Sequence, residues 1–166
     1  LNSSPTPEER ATYQTRATID RVLRRAKRIA IVGMSAESTK PSNMVGSYLL
    51  DEGFEVIPVN PRATEILGRP SYPDLASVPG EIDVVDVFRP AHEVAGIVDA
   101  AIAKGAKAVW TQLKIVDLPA MDRAIAAGLD AVADKCIKME HGRFGGRLHW
   151  AGMNTEIITA KRRPRR

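Results

Sequence analysis

The chain contains little cysteine and few aromatic residues, and it has no long apolar segment. Cys136 is the only cysteine among 166 residues, so no intrachain disulfide can form, which is typical of reducing compartments. No apolar run approaches the roughly 20 residues that span a bilayer, and the polar N-terminus has no apolar signal segment. We therefore expect a soluble, cytoplasmic protein that is not membrane-associated, and its length predicts one domain.

Metal-ligand spacing is also absent. His92, His141 and His149 do not form an H-x-x-x-H pattern with one another, and Cys136 has no C-x-x-C partner, so no metal is predicted. Cys136, Glu140 and His141 are residue types found in nucleophile–base pairs. However, His141 is only five residues from the cysteine and no oxyanion loop is evident. We assign no catalytic residue and interpret Cys136 as a structural or redox-sensitive thiol.

The net charge of +4 is concentrated at the two ends of the chain. Residues 1–28 carry seven basic and three acidic side chains, and residues 161–166 carry five basic ones, whereas residues 29–160 hold twelve basic and seventeen acidic groups. Terminal arginine runs are usually solvated, so nucleic-acid binding is not predicted; a protein partner is left open. We expect a mobile leader over 1–14, one folded domain over 15–160 and a basic disordered tail.

Apolar runs alternate with segments of helical periodicity along the chain. The predicted strands cover residues 28–33, 54–59, 83–88, 106–112 and 130–134, and the predicted helices cover 15–27, 42–53, 91–104 and 118–127. Ser42 is the expected N-cap of the second helix. This alternation predicts a three-layer α/β fold, a doubly wound sheet of about five parallel strands with helices on both faces. Residues 141–146 are predicted to form a loop, and residues 148–159 either a short strand or a flap.

The loop after the first strand is the expected ligand position, because open parallel sheets bind ligands beyond the carboxyl ends of their strands. Gly33 stands alone there, without the two further glycines of a G-x-G-x-x-G dinucleotide loop. Ser35, Ser38 and Lys40 add hydroxyl groups and one positive charge. Asn60 occupies the position where such sites place an acidic residue for the ribose. The pattern favours a phosphate site and not a standard NAD site.

Two arginines follow the second and third strands. Arg62 is either a solvated loop charge or a contact for a second phosphate or an adenine edge. Arg89 lies between Phe88 and Pro90, and an apolar ring beside a cation and a rigid proline can form a wall for adenine or ribose.

Four short motifs together carry a family resemblance. They are Val59-Asn60-Pro61, Asp86-Val87-Phe88-Arg89, Val109-Trp110-x-Gln112 and Asp134-Lys135-Cys136-Ile137. The chain from about Ala26 to His141 resembles the single-domain CoA-binding proteins, which are similar to the CoA-binding domain of the succinyl-CoA synthetase α subunit. The resemblance implies a Rossmann-like domain that binds coenzyme A or an acyl-CoA.

The resemblance also implies which residues contact each part of CoA. Gly33, Met34, Ser35, Pro41 and Ser42 would face the pyrophosphate. Asn60, Pro61 and Arg62 would lie near the adenosine 3′-phosphate. Phe88, Arg89, Pro90, Thr111 and Gln112 would border the pantetheine path.

The sequence departs from the family pattern at two positions. Lys114 stands where the pattern Trp-Met/Leu-Gln-x-Gly has glycine, which is expected to alter that loop or add an anion contact. Lys135 replaces the arginine of Asp-Arg-Cys, which keeps the charge without the bidentate geometry. The phosphorylated histidine of the synthetases lies in a separate domain, so ligase chemistry is not carried over.

Two other functional classes stay open. The first is an NAD(P)-dependent oxidoreductase or another nucleotide enzyme, which needs an acid where Asn60 stands. The second is a regulatory module that uses its basic termini. A non-catalytic CoA-binding carrier, sensor or regulator is the preferred interpretation.

Overall fold

The computed structural model describes residues 5–144, which form seven strands and six helices. The strands are β1 Arg28–Val32, β2 Glu55–Val59, β3 Glu65–Ile66, β4 Arg69–Pro70, β5 Val84–Val87, β6 Ala108–Thr111 and β7 Asp130–Val132. The helices are α1 Pro7–Ala11, α2 Arg16–Arg25, α3 Pro41–Asp51, α4 Ala91–Lys104, α5 Leu118–Ala126 and α6 Ile137–Phe144. Within this part of the chain no helix is long and apolar enough to cross a membrane.

Five strands form one parallel sheet in the order β2-β1-β5-β6-β7, and β3 pairs with β4 in a small antiparallel hairpin. The chain moves from β1 outward to β2 and then returns to the other side of β1 through β5. The winding direction therefore reverses between β1 and β5. In doubly wound sheets this switch point opens a crevice at the carboxyl ends of the strands, and the predicted five-stranded Rossmann-like α/β fold is confirmed.

Helices cover both faces of the sheet, because the strands alternate their apolar side chains between two cores. One core joins α4 and α5 to the sheet through Val98 and Met121. The other core joins α2 and α3 through Val22 and Leu49, with Trp110 fully buried among them. The strands at the centre are buried on both sides, as expected for a parallel sheet under helices.

Strand β2 lies at the edge of the sheet, which explains how it accommodates Pro58. Proline has no N–H to donate to a ladder, so it is found on edge strands. The carbonyl of Pro58 accepts a hydrogen bond from Tyr72 N at 3.0 Å, and Asn60 N donates to Tyr72 O at 2.8 Å. The segment after the hairpin thus covers the outer side of β2 and fixes the backbone at its exit.

Part of the segment 1–14, which is predicted as a mobile leader, forms helix α1 in the structure. Helix α1 has a capping box formed by Thr6 and Glu9. Tyr13 is 6% exposed and packs in the core beside α4 and α5. Its hydroxyl donates to Asp122, and burial is the main cause that raises the pKa of Tyr13 to about 12.

Two other sequence predictions differ from the structure. The N-cap of α3 is Lys40 and not Ser42, because Pro41 occupies the first helical position, where its missing N–H costs nothing. Residues 141–146 were expected to form a loop, but α6 extends to residue 144. The predicted strand or flap at 148–159 and the tail 161–166 lie outside the described residues.

Candidate functional site

Four strand exits meet at one edge of the sheet. Gly33 N donates to Val59 O at 2.9 Å, which joins the exits of β1 and β2. Phe88 N donates to Val32 O at 2.9 Å, and Gln112 N lies 3.4 Å from Val87 O, which adds the exits of β5 and β6. The residues singled out after separate strands therefore lie around the β1/β5 switch point.

Side chains hold the loop between β1 and α3 in one conformation. Ser35 N donates to Ser42 Oγ at 2.9 Å, and Glu37 N donates to Ser35 Oγ at 3.1 Å. Asn43 Nδ2 donates to Ser35 O at 2.9 Å. Ser42 thus braces the loop instead of capping the helix. Asn43, which the sequence analysis did not single out, has the same role.

Position 33 requires glycine for two reasons, its backbone conformation and the lack of room for a Cβ atom. Its φ of 85° lies in the left-handed region that favours glycine. A Cβ on Gly33 would lie 2.6 Å from Arg89 Cδ and 3.0 Å from the carbonyl oxygen of Phe88. The methylene stem of Arg89 therefore rests on Gly33, directly at the switch point.

The N-terminus of α3 is open to an anion. Among the described residues, the N-cap side chain, that of Lys40, makes no capping hydrogen bond, and the first turn contains no acidic residue. Helix N-termini with free N–H groups and a positive dipole end favour phosphate. Lys40 and Arg62 are exposed at this edge, and neither forms an ion pair within residues 5–144. The edge thus presents donors and positive charge together.

Asn60 uses its whole side chain to connect two loops. Its Nδ2 donates to Met34 O at 2.9 Å, and its Oδ1 accepts from Arg62 N at 2.8 Å. The amide therefore ties the β1 loop to the β2 loop and orients the backbone of Arg62. An aspartate could not donate to Met34 O, so this bracing requires an amide side chain.

Arg89 pairs with Glu93, an acid that the sequence analysis missed. Arg89 Nε lies 2.6 Å from Glu93 Oε2, and Arg89 Nη2 lies 2.8 Å from Glu93 Oε1. The hydrogen bond from Arg89 holds the pKa of Glu93 below its ordinary value. The spacing of four residues, typical of ion pairs on helices, was the available signal. The guanidinium is thus fixed beside the first turn of α4, whose N-cap residue is Pro90, a side chain without a hydrogen-bond acceptor.

A buried polar pair lies beneath the exits of β5 and β6. Gln112 Nε2 donates to Asp86 Oδ1, and Asp86 Oδ2 is buried without a hydrogen-bond partner among residues 5–144. Burial raises the pKa of Asp86 to about 8, although the bond from Gln112 opposes the shift. Neighbouring Thr111 is also fully buried, and its Oγ1 accepts from Asp134 N at 3.3 Å.

The loop after β6 keeps a glycine-like conformation without glycine. Lys114 has φ of 66°, in the left-handed region, and its N–H donates to Asp134 Oδ1 at 2.6 Å. Asp134 has φ of 58° and also pairs with Arg10 at 3.0 Å. Lys114 stands where the family pattern has glycine. Its hydrogen bond to Asp134, which follows β7, holds it in the backbone region that glycine favours.

Cys136 is partly buried and His141 is buried. Burial raises the pKa of the Cys136 thiol, whereas catalytic cysteines have a lowered pKa. His141 is buried, and its Nδ1 lies 2.8 Å from the Tyr48 hydroxyl. Its ring contacts Tyr48 and Phe54 edge-on. These surroundings are those of packing groups in the core between α3 and α6.

The predicted site residues fall into a buried and an accessible set. Met34, Ser42, Thr111 and Gln112 are buried, so their side chains support the edge from below. The partly or fully exposed ones are Gly33, Ser35, Ser38, Lys40, Pro41, Asn60, Pro61, Arg62, Phe88, Arg89 and Pro90. The accessible set follows β1, β2 and β5, which flank the switch point.

Comparison with known proteins finds one family over most of the chain. The profile of the CoA binding domain matches residues 27–142. An uncharacterized protein of Bacillus subtilis, YneT, is 35% identical over 127 residues, which cover 76% of this chain and 94% of the relative. An ADP-forming acetate–CoA ligase of Archaeoglobus fulgidus is 32% identical over 83 residues, which cover 49% of this chain but 12% of the ligase.

Solved structures agree with this result. A hypothetical protein from Pyrococcus horikoshii is 39% identical, with a TM-score of 0.78 over 87% of this chain and 100% of that one. A dinucleotide-forming acetyl-coenzyme A synthetase of Ca. Korarchaeum cryptofilum is 28% identical, with a TM-score of 0.54 over 62% of this chain and 25% of that one. In both CoA-related enzymes the similar region is therefore a small part of a longer chain.

Proposed function

Because the chain belongs to the CoA-binding domain family, we propose that it binds coenzyme A or an acyl-CoA at the carboxyl edge of its parallel sheet. In this proposal it is a non-catalytic carrier, sensor or regulator that acts in the cytoplasm. The region similar to the CoA-related enzymes covers only 12% of the ligase and 25% of the synthetase, so the proposal includes no part of their reactions.

The observation that carries the proposal is the uncapped N-terminus of α3 at the switch point. Its first turn has no side-chain cap and no acid, and exposed Lys40 and Arg62 form no ion pair within residues 5–144. CoA carries a pyrophosphate and a 3′-phosphate, so it needs anion contacts at more than one point. Free amides and two unpaired cations at one edge fit that requirement.

In the proposed site, residues after three different strands contact three different parts of the ligand. In our proposal the backbone of Gly33 to Ser35 and the start of α3 at Pro41 and Ser42 hold the pyrophosphate, with Ser38 and Lys40 beside it. The segment 60–62 holds the 3′-phosphate. The segment 88–90 borders the pantetheine, while buried Thr111 and Gln112 support that wall.

An NAD(P)-dependent oxidoreductase is the alternative, and the surroundings of Asn60 argue against it. A ribose-binding acid accepts hydrogen bonds from the ribose hydroxyls. Both polar ends of Asn60 are instead bound to the backbone of Met34 and Arg62. Asn60 therefore braces the backbone. In our proposal the side chain of Arg62, two residues later, contacts the ligand instead.

Replacing Arg62 by alanine tests the position of the 3′-phosphate. We expect Arg62→Ala to weaken the binding of CoA about tenfold to a hundredfold, because a hydrogen bond to a charged group contributes about 1.5–3 kcal/mol. The affinity for 3′-dephospho-CoA should change little. Calorimetric titration of both ligands measures the difference.

The matched control is Arg24→Ala. Arg24 is exposed on α2 and pairs with Asp20 at 2.9 Å, so its loss removes one positive charge without touching the sheet edge. It should leave both affinities unchanged. Equal losses for CoA and 3′-dephospho-CoA in Arg62→Ala would place the 3′-phosphate elsewhere.

A further inference from the structure

The side chain of Arg89 packs against Gly33, and a carboxylate already holds its guanidinium. Its methylene stem covers Gly33, as the 2.6 Å separation between Arg89 Cδ and an added Cβ demonstrates. Its guanidinium makes two hydrogen bonds to Glu93, at 2.6 and 2.8 Å. Both side chains are partly exposed, at 47% and 36%. The pair therefore lies at the surface of the switch point.

A phosphate and Glu93 offer the same chemistry to this arginine. A guanidinium binds one planar carboxylate or one phosphate in a bidentate manner. Glu93 lies in the first turn of α4, where no side chain caps the helix, so its negative charge occupies a position that also favours phosphate. A bound pyrophosphate near Gly33 would compete with Glu93 for Arg89 and would meet its negative charge.

We infer that Glu93 restrains Arg89 and thereby weakens the binding of pyrophosphate ligands. Binding then exchanges one partner of Arg89 for another, from the Glu93 carboxylate to the ligand pyrophosphate. This inference rests on the proposed function. It changes one assignment within it, because the Arg89 guanidinium contacts the pyrophosphate and not the pantetheine. An exposed ion pair at this spacing contributes little to stability, so the exchange is energetically accessible.

The test is a double-mutant cycle measured by calorimetric titration with CoA. Glu93→Gln should bind CoA about threefold to tenfold more tightly than the wild type, and 3′-dephospho-CoA should gain by the same factor because both ligands keep the pyrophosphate. In an Arg89→Ala background, Glu93→Gln should give a clearly smaller gain, because only the repulsion between Glu93 and the pyrophosphate is then relieved.

Asp99→Asn is the matched control. Asp99 lies on the same helix and pairs with Arg123 at 3.0 Å, away from the switch point, and its removal changes the net charge by the same amount. It should leave the affinity for CoA unchanged. In the wild type, NMR titration of the Glu93 carboxyl should give a higher pKa with CoA bound than without it.

The outcomes separate the inference from the proposed function. If the wild type binds CoA and Glu93→Gln binds it no more tightly, the inference is wrong and the CoA site stands. An equal gain in the Arg89→Ala background, or in Asp99→Asn, would reduce the effect to general charge and would also overturn it. If the folded wild type does not bind CoA, the proposed function and the inference both fail.

Discussion

Replacing Gly33 by alanine is expected to weaken CoA binding about tenfold or more. The added Cβ would lie 3.0 Å from the carbonyl oxygen of Phe88, a backbone atom that cannot rotate away. The φ of 85° adds strain of about 1–2 kcal/mol for a residue with a Cβ. Overpacking adds about 1–3 kcal/mol, so the loop after β1 must shift and its amides move from the proposed pyrophosphate position.

The chain offers a close control for this variant in Gly53→Ala. Gly53 has φ of 96°, but an added Cβ there meets nothing within 4 Å among residues 5–144. Both variants should lose stability in urea unfolding, about 1–2 kcal/mol for Gly53→Ala and about 2–5 kcal/mol for Gly33→Ala. Only Gly33→Ala should lose affinity in calorimetric titration. Unchanged CoA binding by Gly33→Ala would remove this loop from the site.

Replacing Asp86 by asparagine is expected to remove a large pH dependence of stability. Burial raises the pKa of Asp86 to about 8 in the folded protein, whereas an unfolded aspartate has a pKa of about 3.9. Between these values the folded protein binds a proton that the unfolded chain has released. The free energy of unfolding therefore falls as the pH rises from about 4 to about 8, by up to about 1.4 kcal/mol per pH unit.

Urea unfolding of the wild type and of Asp86→Asn at pH 5, 6, 7 and 8 measures this effect. Asparagine keeps the shape and stays neutral, so its stability relative to the wild type should rise with pH by up to about 4 kcal/mol over the series. Asp99→Asn removes an exposed carboxylate and should follow the wild type. Parallel curves for Asp86→Asn and the wild type would mean that Asp86 does not carry this proton.

The sequence predicts the strands well because they are short apolar runs between turn residues. Val84 and Val85, for example, form a strand buried on both sides, as their doublet indicates. The sequence does not predict α6, since Gly142 and the charged residues around it are typical of a loop. That helix depends on tertiary contacts, because Ile137 is fully buried and His141 contacts Tyr48 and Phe54.

Much of the candidate site could be identified from the sequence, but its interactions could not. Residues after parallel strands meet at one edge for any order of the strands, so Gly33, Asn60 and Arg89 were singled out by position. Which of them are accessible, and which brace the backbone, depends on the strand order and on side-chain geometry. Asn60 and Ser42 accordingly act through backbone hydrogen bonds, a role that no motif distinguishes from ligand binding.

The most direct test of the account is calorimetric titration of the purified wild-type protein with CoA, NAD and NADP under identical conditions. Lys40 and Arg62 are exposed beside the start of α3, and Asn60 is engaged by the backbone of Met34 and Arg62. These features predict saturable binding of CoA and no binding of NAD. Native mass spectrometry of the same sample should detect the complex with CoA. Binding of NAD without any response to CoA would contradict the account.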